Sequence, residues 1–535
     1  MKKVLLLFLL PFLSFAQSTL ITAGSGGNVE MPNLTSSQIQ AITSPRSGMM
    51  VFDKTFKVIK YYNGTAWVAL YQPSCECCNQ YCQGLTSISS AEAGSNISSY
   101  AETNTIDVDN NGNVYIIGSF NGSITFNNNI FLSKISFQSY SVKNMFIAKF
   151  NQDGLCQWAK RIGPDASSTG NMNINAIDID NNGNMYLGGS VSGTVTDGIT
   201  TITAQAYPNP CLLKYDASGN IIFSKVFGNN PIASNERIID VSLDNQGNIY
   251  AIGEYWNNFT TDAQSLSNAG GSDVWVGKFS TANGTCAWLR SAGGNGNDEA
   301  GGIFVHSLNT NKIFLTGKIF GNAIVGTTNV SVATPNGDMF RAEFDANGVN
   351  GVSGVYTLGV SNTAKGLKIK ALDASNGVLV GKFNGSFVAA GNTYSGATES
   401  IFIQKFNLNT GVVSRVNTIV GNAGLVPKID LSVASNTEVI LAGYYFGSCS
   451  FAGFTANTNS QTSDAFILKL DANLSFSCIK LPTGAAEDEI YALTTDAQGN
   501  VYTLGRTLST TLDFGNTQLT SSNFGYALFM AKLTK

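Results

Sequence analysis

Along most of this chain short apolar runs alternate with polar clusters rich in Asn, Asp and Gly, and the alternation is periodic. The clearest copy is Asp107-Val-Asp109-Asn110-Asn111-Gly112-Asn113, followed by Val114-Tyr-Ile-Ile-Gly118. The same order returns at residues 178–189, 243–253 and 496–505. Each copy predicts a strand, a tight turn and a second strand. Asn-Gly tolerates the positive φ of a hairpin turn, and β-branched and aromatic residues flank it.

Two anchors measure the repeat. The glycine that closes the apolar run recurs at Gly118, Gly189, Gly253, Gly317, Gly381, Gly443 and Gly505, at intervals of 71, 64, 64, 64, 62 and 62. A second run of the Phe-Ile-Ala-Lys-Phe type places its polar residue at Lys149, Lys214, Lys278, Glu343, Lys405, Lys469 and Lys532. Both give seven units with a period near 64. Each unit predicts four strands, as at residues 105–109, 114–117, 145–150 and 157–162, with a long variable segment between the second and third. The middle two strands are apolar throughout rather than alternating, so both of their faces must be covered. Antiparallel sheets packed radially on one another meet that demand. The expected fold is all-β: a seven-bladed β-propeller of four-stranded antiparallel blades over residues 85–535. The seventh unit stops at its third strand, so residues 85–91 are expected to pair with residues 527–533. That pairing closes the ring and leaves no edge open.

Upstream, Lys2 and Lys3 precede an apolar run and Ser14-Phe-Ala16, so residues 1–16 read as a signal peptide and the chain as exported. Residues 17–72 read as a small β module. It has a capped helix at 35–42, strands at 49–52 and 57–62, and a turn at Asn63-Gly64 into a strand at 65–70. The phrase from Pro45 to Asp53 together with Tyr61-Tyr-Asn-Gly-Thr-Ala-Trp67 resembles a module near the N-termini of bacterial surface and phage tail-fibre-like proteins. The resemblance implies an attachment or spacer element.

Residues 73–84 form a hinge with Cys75, Cys77, Cys78 and Cys82. Zinc or an iron–sulfur cluster is the alternative there. An oxidising compartment and the lack of paired C-x-x-C knuckles favour disulfides. The remaining cysteines, scattered singly, read as buried structural thiols.

Charge narrows the function classes. With 12% charged residues and a net charge of −4, the chain lacks the basic footprint of a nucleic-acid binder. Its one histidine, His306, all but excludes histidine triads and multi-histidine metal sites. No G-x-S-x-G, P-loop or aspartate-box pattern is present.

Gly293-Gly-Asn-Gly-Asn-Asp-Glu299 and the Ile-Asp-Val-Asp-Asn-Asn-Gly-Asn-Val-Tyr-Ile-Ile-Gly type of strand pair resemble the bacterial SBBP repeat. That resemblance implies seven-bladed propellers in an extracellular setting. The family carries no common catalytic residues to transfer.

Two carboxylate sets are candidate sites. Asp107, Asp109 and Asn111, and likewise Asp178, Asp180 and Asn182, match the opening of a calcium loop, but Gly118 and Gly189 stand where its bidentate glutamate belongs. A plain hairpin outweighs calcium, and no cofactor is expected. Glu102, Glu236, Asp298, Glu299, Asp488 and Glu489 precede the first strands and are candidates to ring one mouth of a central channel, with Asn173, Lys365 and Lys428 in the other units. Structural pairing with lysines is the competing reading. The variable segments, rich in Asn, Thr and aromatics, are a second candidate surface for recognition. The function read from these features is an exported binding or surface-interaction module for a glycan or envelope protein. The alternative is a polysaccharide hydrolase or lyase with a carboxylate site at the channel mouth.

Overall fold

The structure is a computed structural model, and it describes residues 32–54, 58–62, 64, 67–69, 82–91, 100–133, 143–165, 169–228, 235–244, 246–306, 312–421, 425–435, 437–451, 454–458, 462–515, 518–520 and 526–534. The chain divides into two compact units, Met1–Cys77 and Cys78–Lys535. The expected signal peptide, residues 1–16, and all of 73–84 except the last three residues lie outside the described residues. No helix among those described is long and apolar enough to cross a membrane.

In the first unit a helix, Ser36–Gln40, starts where the sequence places it. Thr35 caps it: its hydroxyl accepts from the Gln38 N–H, and the Gln38 side chain accepts from the Thr35 N–H at 2.8 Å. Strands Met50–Asp53, Val58–Tyr62 and Trp67–Ala69 form an antiparallel meander. A short strand not foreseen, Asn33–Leu34, adds in parallel to the first of them. Asp53 is fully buried and bonds Lys60 at 2.9 Å.

The second unit is all-β. Among the described residues, seven antiparallel sheets share one strand order, as in Tyr100–Val108, Val114–Asn121, Asn144–Phe150 and Cys156–Ile162. The other first strands are Asn171–Ile179, Arg237–Leu243, Glu299–His306, Thr363–Ala371, Leu425–Val433 and Asp488–Thr495. Every residue of Val114–Asn121 is buried, as continuous apolarity requires. Val114 and Ile116 share a core with Tyr502, Leu504 and Met530 of the seventh sheet, while Tyr115 and Ile117 pack on Ile174 and Leu187 of the second. Each such fully buried side chain contributes about 1.5–3 kcal/mol.

The two sequence anchors now have physical causes. Every first strand carries one extra residue, a β-bulge close to the anchor glycine of the second strand. The bulge presses a main-chain carbonyl onto that glycine. A Cβ at Gly118, Gly189, Gly253, Gly317, Gly381, Gly443 or Gly505 would overlap the carbonyl oxygen of Glu102, Asn173, Arg237, Glu299, Lys365, Lys428 or Glu489, respectively. Five of the anchor lysines tie their sheet to the next. Lys149 donates to Ala217 O, Lys214 to Thr281 O, Lys278 to Ala346 O and Lys405 to Ala472 O; Lys532 of the seventh sheet reaches Gln152 O of the first. In the fourth sheet, where Glu343 replaces the lysine, Lys312 pairs with Glu343 at 3.0 Å and donates to Leu408 O instead.

Of residues 85–91, the first four pair with the last strand, with Leu528 facing Ile88, Phe529 facing Ser87 and Ala531 facing Leu85, while residues 89–91 pair with Ser123–Phe126. Cys82–Ala91 thus supplies the fourth strand of the seventh sheet. The variable segments differ from their expected role as a free surface. Each folds as a short hairpin fastened to the outer strand of the preceding sheet, or to the residues just beyond it. Ser123–Phe126 pairs with Cys82–Ala91, Asn322–Val325 with Cys286–Gly294 and Ser448–Phe451 with Val413–Gly421. Main-chain bonds do the same for Thr196 on Gly163, Thr260 on Gly228, Ser386 on Ser361 and Asp513 on Thr483. One face of these hairpins, with Ile124, Phe126, Val195, Phe259, Val325, Phe387, Phe451, Leu512 and Phe514, is buried, whereas Phe131, Ile199, Ile324 and Val388 on them are exposed. These segments act as inter-sheet fasteners, and part of their surface remains open.

Candidate functional site at the mouth of the inner strands

The calcium candidates separate into two roles. Asp109 and Asp180 close their turns. Oδ1 of Asp180 accepts the N–H groups of Asn182 and Asn184, each at 2.9 Å, while Oδ2 takes Asn184 Nδ2 at 2.8 Å and the Tyr186 hydroxyl at 3.1 Å. Asp109 repeats this with Asn111, Asn113 and Tyr115; Asp244 and Asp496 repeat it in the third and seventh units. Gly112 and Gly183 sit at φ +77° and +78°, where only glycine is unstrained. Asn111 and Asn182 point to solvent. The sequence pattern therefore reflects hydrogen-bond demand in a hairpin, and its oxygens do not converge on one point.

Asp107 and Asp178 belong to the inner strands instead. Asp107 bonds Thr494 Oγ1 at 3.1 Å, joining the first unit to the seventh, and Asp178 accepts the Leu243 N–H at 2.8 Å. Burial, and for Asp107 its neighbour Asp178, pushes them up to about 7 and about 6; Lys370 nearby pulls both down. Asp240 and Asp430 likewise each accept an N–H from the following inner strand, at Ile303 and Leu493.

The six acidic candidates also split. Glu236, Asp298 and Asp488 are buried between sheets. Asp298 accepts the N–H groups of Gly294 and Phe320 at 2.7 and 2.8 Å, and Asp488 accepts the hydroxyls of Thr507 and Ser509. Burial pushes Asp298 up to about 7 and Asp488 to about 6. Glu102, Glu299 and Glu489 each hold a cation. Glu102 pairs with Lys143 at 2.8 Å, Glu299 with Lys365 at 2.6 Å, and buried Glu489 with Arg506 at 2.6 Å and the Tyr491 hydroxyl at 2.7 Å. Burial acts to raise Glu299, but Lys365 and Lys318 outweigh it and hold the carboxyl below its usual range. The six carboxylates do not line one cavity.

What the structure does bring together is a cavity of 390 Å³, lined by residues from six of the first strands. Bulged residues Asn104, Asn175, Ile239, Gly301 and Leu367 line it, because a bulge re-aims a residue out of the ladder. The charged groups on its wall are Arg237, Lys365, Lys368, Lys382 and Lys428 against Glu254 alone. Carboxylates hold most of these cations: Arg237 meets Glu254 on the wall at 2.8 Å, while behind it Lys368 meets Asp240 at 3.2 Å and Lys382 meets Glu399 at 2.8 Å. Lys428 has no hydrogen bond or ion pair among the described residues. It is crowded by protein atoms yet reached by water through the cavity. Burial lowers its pKa against the pull of Asp430, and the fields of Lys368 and Lys382 add to the lowering. Tyr444 stands opposite Lys428 in the register, with Tyr491 at 5.5 Å from it.

Sequence reasoning named Lys365 and Lys428 only as interruptions of an acidic ring. It missed Arg237, Lys368 and Lys382, and it chose Glu236 where the mouth residue is Arg237. His306, at the end of its strand, is buried; its surroundings and Lys312 favour the neutral ring. The thiols of Cys156, Cys211, Cys286 and Cys449 are free and buried, whereas Cys478, expected to be a thiol like them, is disulfide-bonded. Cys75, Cys77, Cys78 and the Cys82 side chain lie outside what is described.

Residues 16–90 match the family described as a phage tail like trimerisation region. A curated relative, an uncharacterized WD repeat-containing protein of Acanthamoeba polyphaga mimivirus, is 27% identical over 193 residues, which cover 33% of this chain and 13% of that protein. Two solved structures are similar in part. A protein of unknown function from Bacteroides caccae covers 63% of this chain and 89% of its own, at 9% identity and a TM-score of 0.28. The quinohemoprotein alcohol dehydrogenase of Comamonas testosteroni covers 82% and 76%, at 8% identity and a TM-score of 0.33.

Proposed function

We propose that this chain is an exported seven-bladed β-propeller of the SBBP-repeat type, closed by strand Cys82–Ala91, that works as a binding module without catalysis. Its ligand is a glycan or an envelope protein, held at the mouth of the inner strands. Circular contacts support the closure: Thr494 on Asp107, Lys532 on Gln152, and Ser123–Phe126 on Cys82–Ala91. The partial match to a WD repeat-containing protein points the same way. Residues 16–90, by their family match, hold three copies together. Disulfides among Cys75, Cys77, Cys78 and Cys82 stiffen the join in an oxidising compartment.

The observation that carries the binding reading is the 390 Å³ cavity itself, within the range of ligand sites. Its wall is apolar at Ile239, Leu367 and Ile429, and amides and cations converge on it. A hydrolase of the carboxylate-pair type needs two free carboxyl groups on one substrate pocket. Here the candidate carboxylates are tied to Lys365, Arg506 and backbone N–H groups. The test is retardation of the full chain in gels containing neutral or acidic polysaccharides, with release of reducing ends measured in parallel. Retention without cleavage is expected. Cleavage abolished by Glu299→Gln or Glu489→Gln would overturn the binding reading.

A further inference from the structure

We infer that the mouth takes an acidic polysaccharide, a chain of sugar carboxylates, with Lys428 as the principal contact and Arg237, Lys365, Lys368 and Lys382 around it. The inference rests on the reading of the mouth as the binding site and names the ligand class.

Four of the five cations already have a carboxylate partner. Arg237, Lys365, Lys368 and Lys382 are held in position by Glu254, Glu299, Asp240 and Glu399, and Lys382 also donates to Pro427 O; an ammonium has three donors and a guanidinium five, so each keeps at least one for a ligand. Lys428 keeps all of its donors. Lys368 and Lys382 work against its charge and only Asp430 favours it, and a bound carboxylate would supply the opposite charge that offsets the two cations. A neutral sugar would leave that cost in place. Charge-assisted hydrogen bonds to carboxylate oxygens are also about twice as strong as neutral ones.

The rest of the wall suits a sugar through its amides, while Tyr444 and Tyr491, half-buried beside Lys428, pack on each other outside the residues that line the cavity. Asn104 and Asn175, delivered by bulges, add amide groups that hydroxyls can meet. Nucleic acid is the less favoured polyanion. Four of the five cations are lysines, the chain carries a net charge of −4, and the site is a pocket instead of a stripe that tracks a phosphate backbone.

The test is titration calorimetry of the full chain with oligogalacturonate, a neutral malto-oligosaccharide of equal length, monomeric galacturonate and single-stranded oligodeoxynucleotide. Oligogalacturonate is expected to bind, weaken with added salt, and lose at least tenfold in affinity in Lys428→Gln, while Lys428→Arg keeps most of it. Monomer binding alone would overturn the polymer assignment. Equal affinity for the neutral sugar would overturn the charge argument and leave the mouth as a glycan site. Tighter binding of the oligodeoxynucleotide, or binding of none of the four, would overturn the inference outright. Binding unchanged in both Lys428→Gln and Lys368→Gln, with native circular dichroism, would instead remove the mouth as the site, and the proposed function with it.

Discussion

Gly443 lies against the carbonyl oxygen of Lys428, so the glycine that marks the repeat and the cation that marks the mouth touch across the first two strands of the sixth sheet, next to its bulge. Replacing Gly443 by Ala forces either the first or the second strand to move. A loss of about 1–3 kcal/mol is expected, as for overpacking in a filled core. Urea unfolding of Gly443→Ala measures it. Weaker ligand binding should accompany the loss, because the displaced carbonyl belongs to Lys428.

Asp180→Ala removes the acceptor for two N–H groups, an amide and a hydroxyl in one turn. The expected loss is about 1 kcal/mol, because three part-buried donors lose their acceptor while the Asn182 N–H turns to water. Chelators should leave the melting temperature of the native chain unchanged. A drop on adding EDTA would show a metal in a turn that the hydrogen bonds here fill.

The outer hairpins fasten sheets, so their aromatic residues should matter to stability and not to binding. Phe126 is 1% exposed and packs edge-on to Phe146 and Phe150. Phe126→Ala is expected to cost about 3–5 kcal/mol with ligand affinity intact, provided assays run below the lowered unfolding midpoint. Removing residues 1–91 takes away the outer strand of the seventh sheet. That truncation should aggregate through the exposed edge of Ala527–Leu533, whereas removing residues 1–77 should not.

Stability should fall as pH rises through the neutral range. Burial raises Asp298 to about 7, and Asp338 and Asp488 to about 6, from an ordinary 3.8. Between those values the folded chain holds protons that the unfolded chain has lost. The contribution is therefore complete below 3.8 and disappears as pH passes through the folded values. Asp298→Asn should flatten the decline, seen as a smaller shift in urea midpoint between pH 5 and pH 8. A native midpoint that rises over that interval would contradict the assignment.

The repeat was legible because both of its anchors answer to backbone needs that recur in every unit. Asp-x-x-Gly-Asn is a turn, and an unbroken apolar run is a strand covered on both sides. The strand limits came out within a few residues, and the pairing of residues 85–91 followed from counting strands. The mouth was not legible for a reason specific to strands. Side chains alternate faces, so a one-residue slip exchanges inside for outside. In the pair Glu236–Arg237 the first residue is buried and the second lines the cavity, and in Asp298–Glu299 the first is buried while the second is half-exposed against Lys365. A bulge then adds one residue more, and nothing in hydrophobic periodicity announces it. The hairpins misled because Asn and Thr at a turn look alike whether the strands beside them meet solvent or another sheet.

Hydrogen–deuterium exchange of the full chain with and without oligogalacturonate tests most directly the claim that recognition belongs to the inner mouth. The account predicts slowed exchange confined to segments 365–370 and 425–431, with the hairpins at 123–133 and 385–396 unchanged. Protection on those hairpins, with none at 425–431, would contradict it.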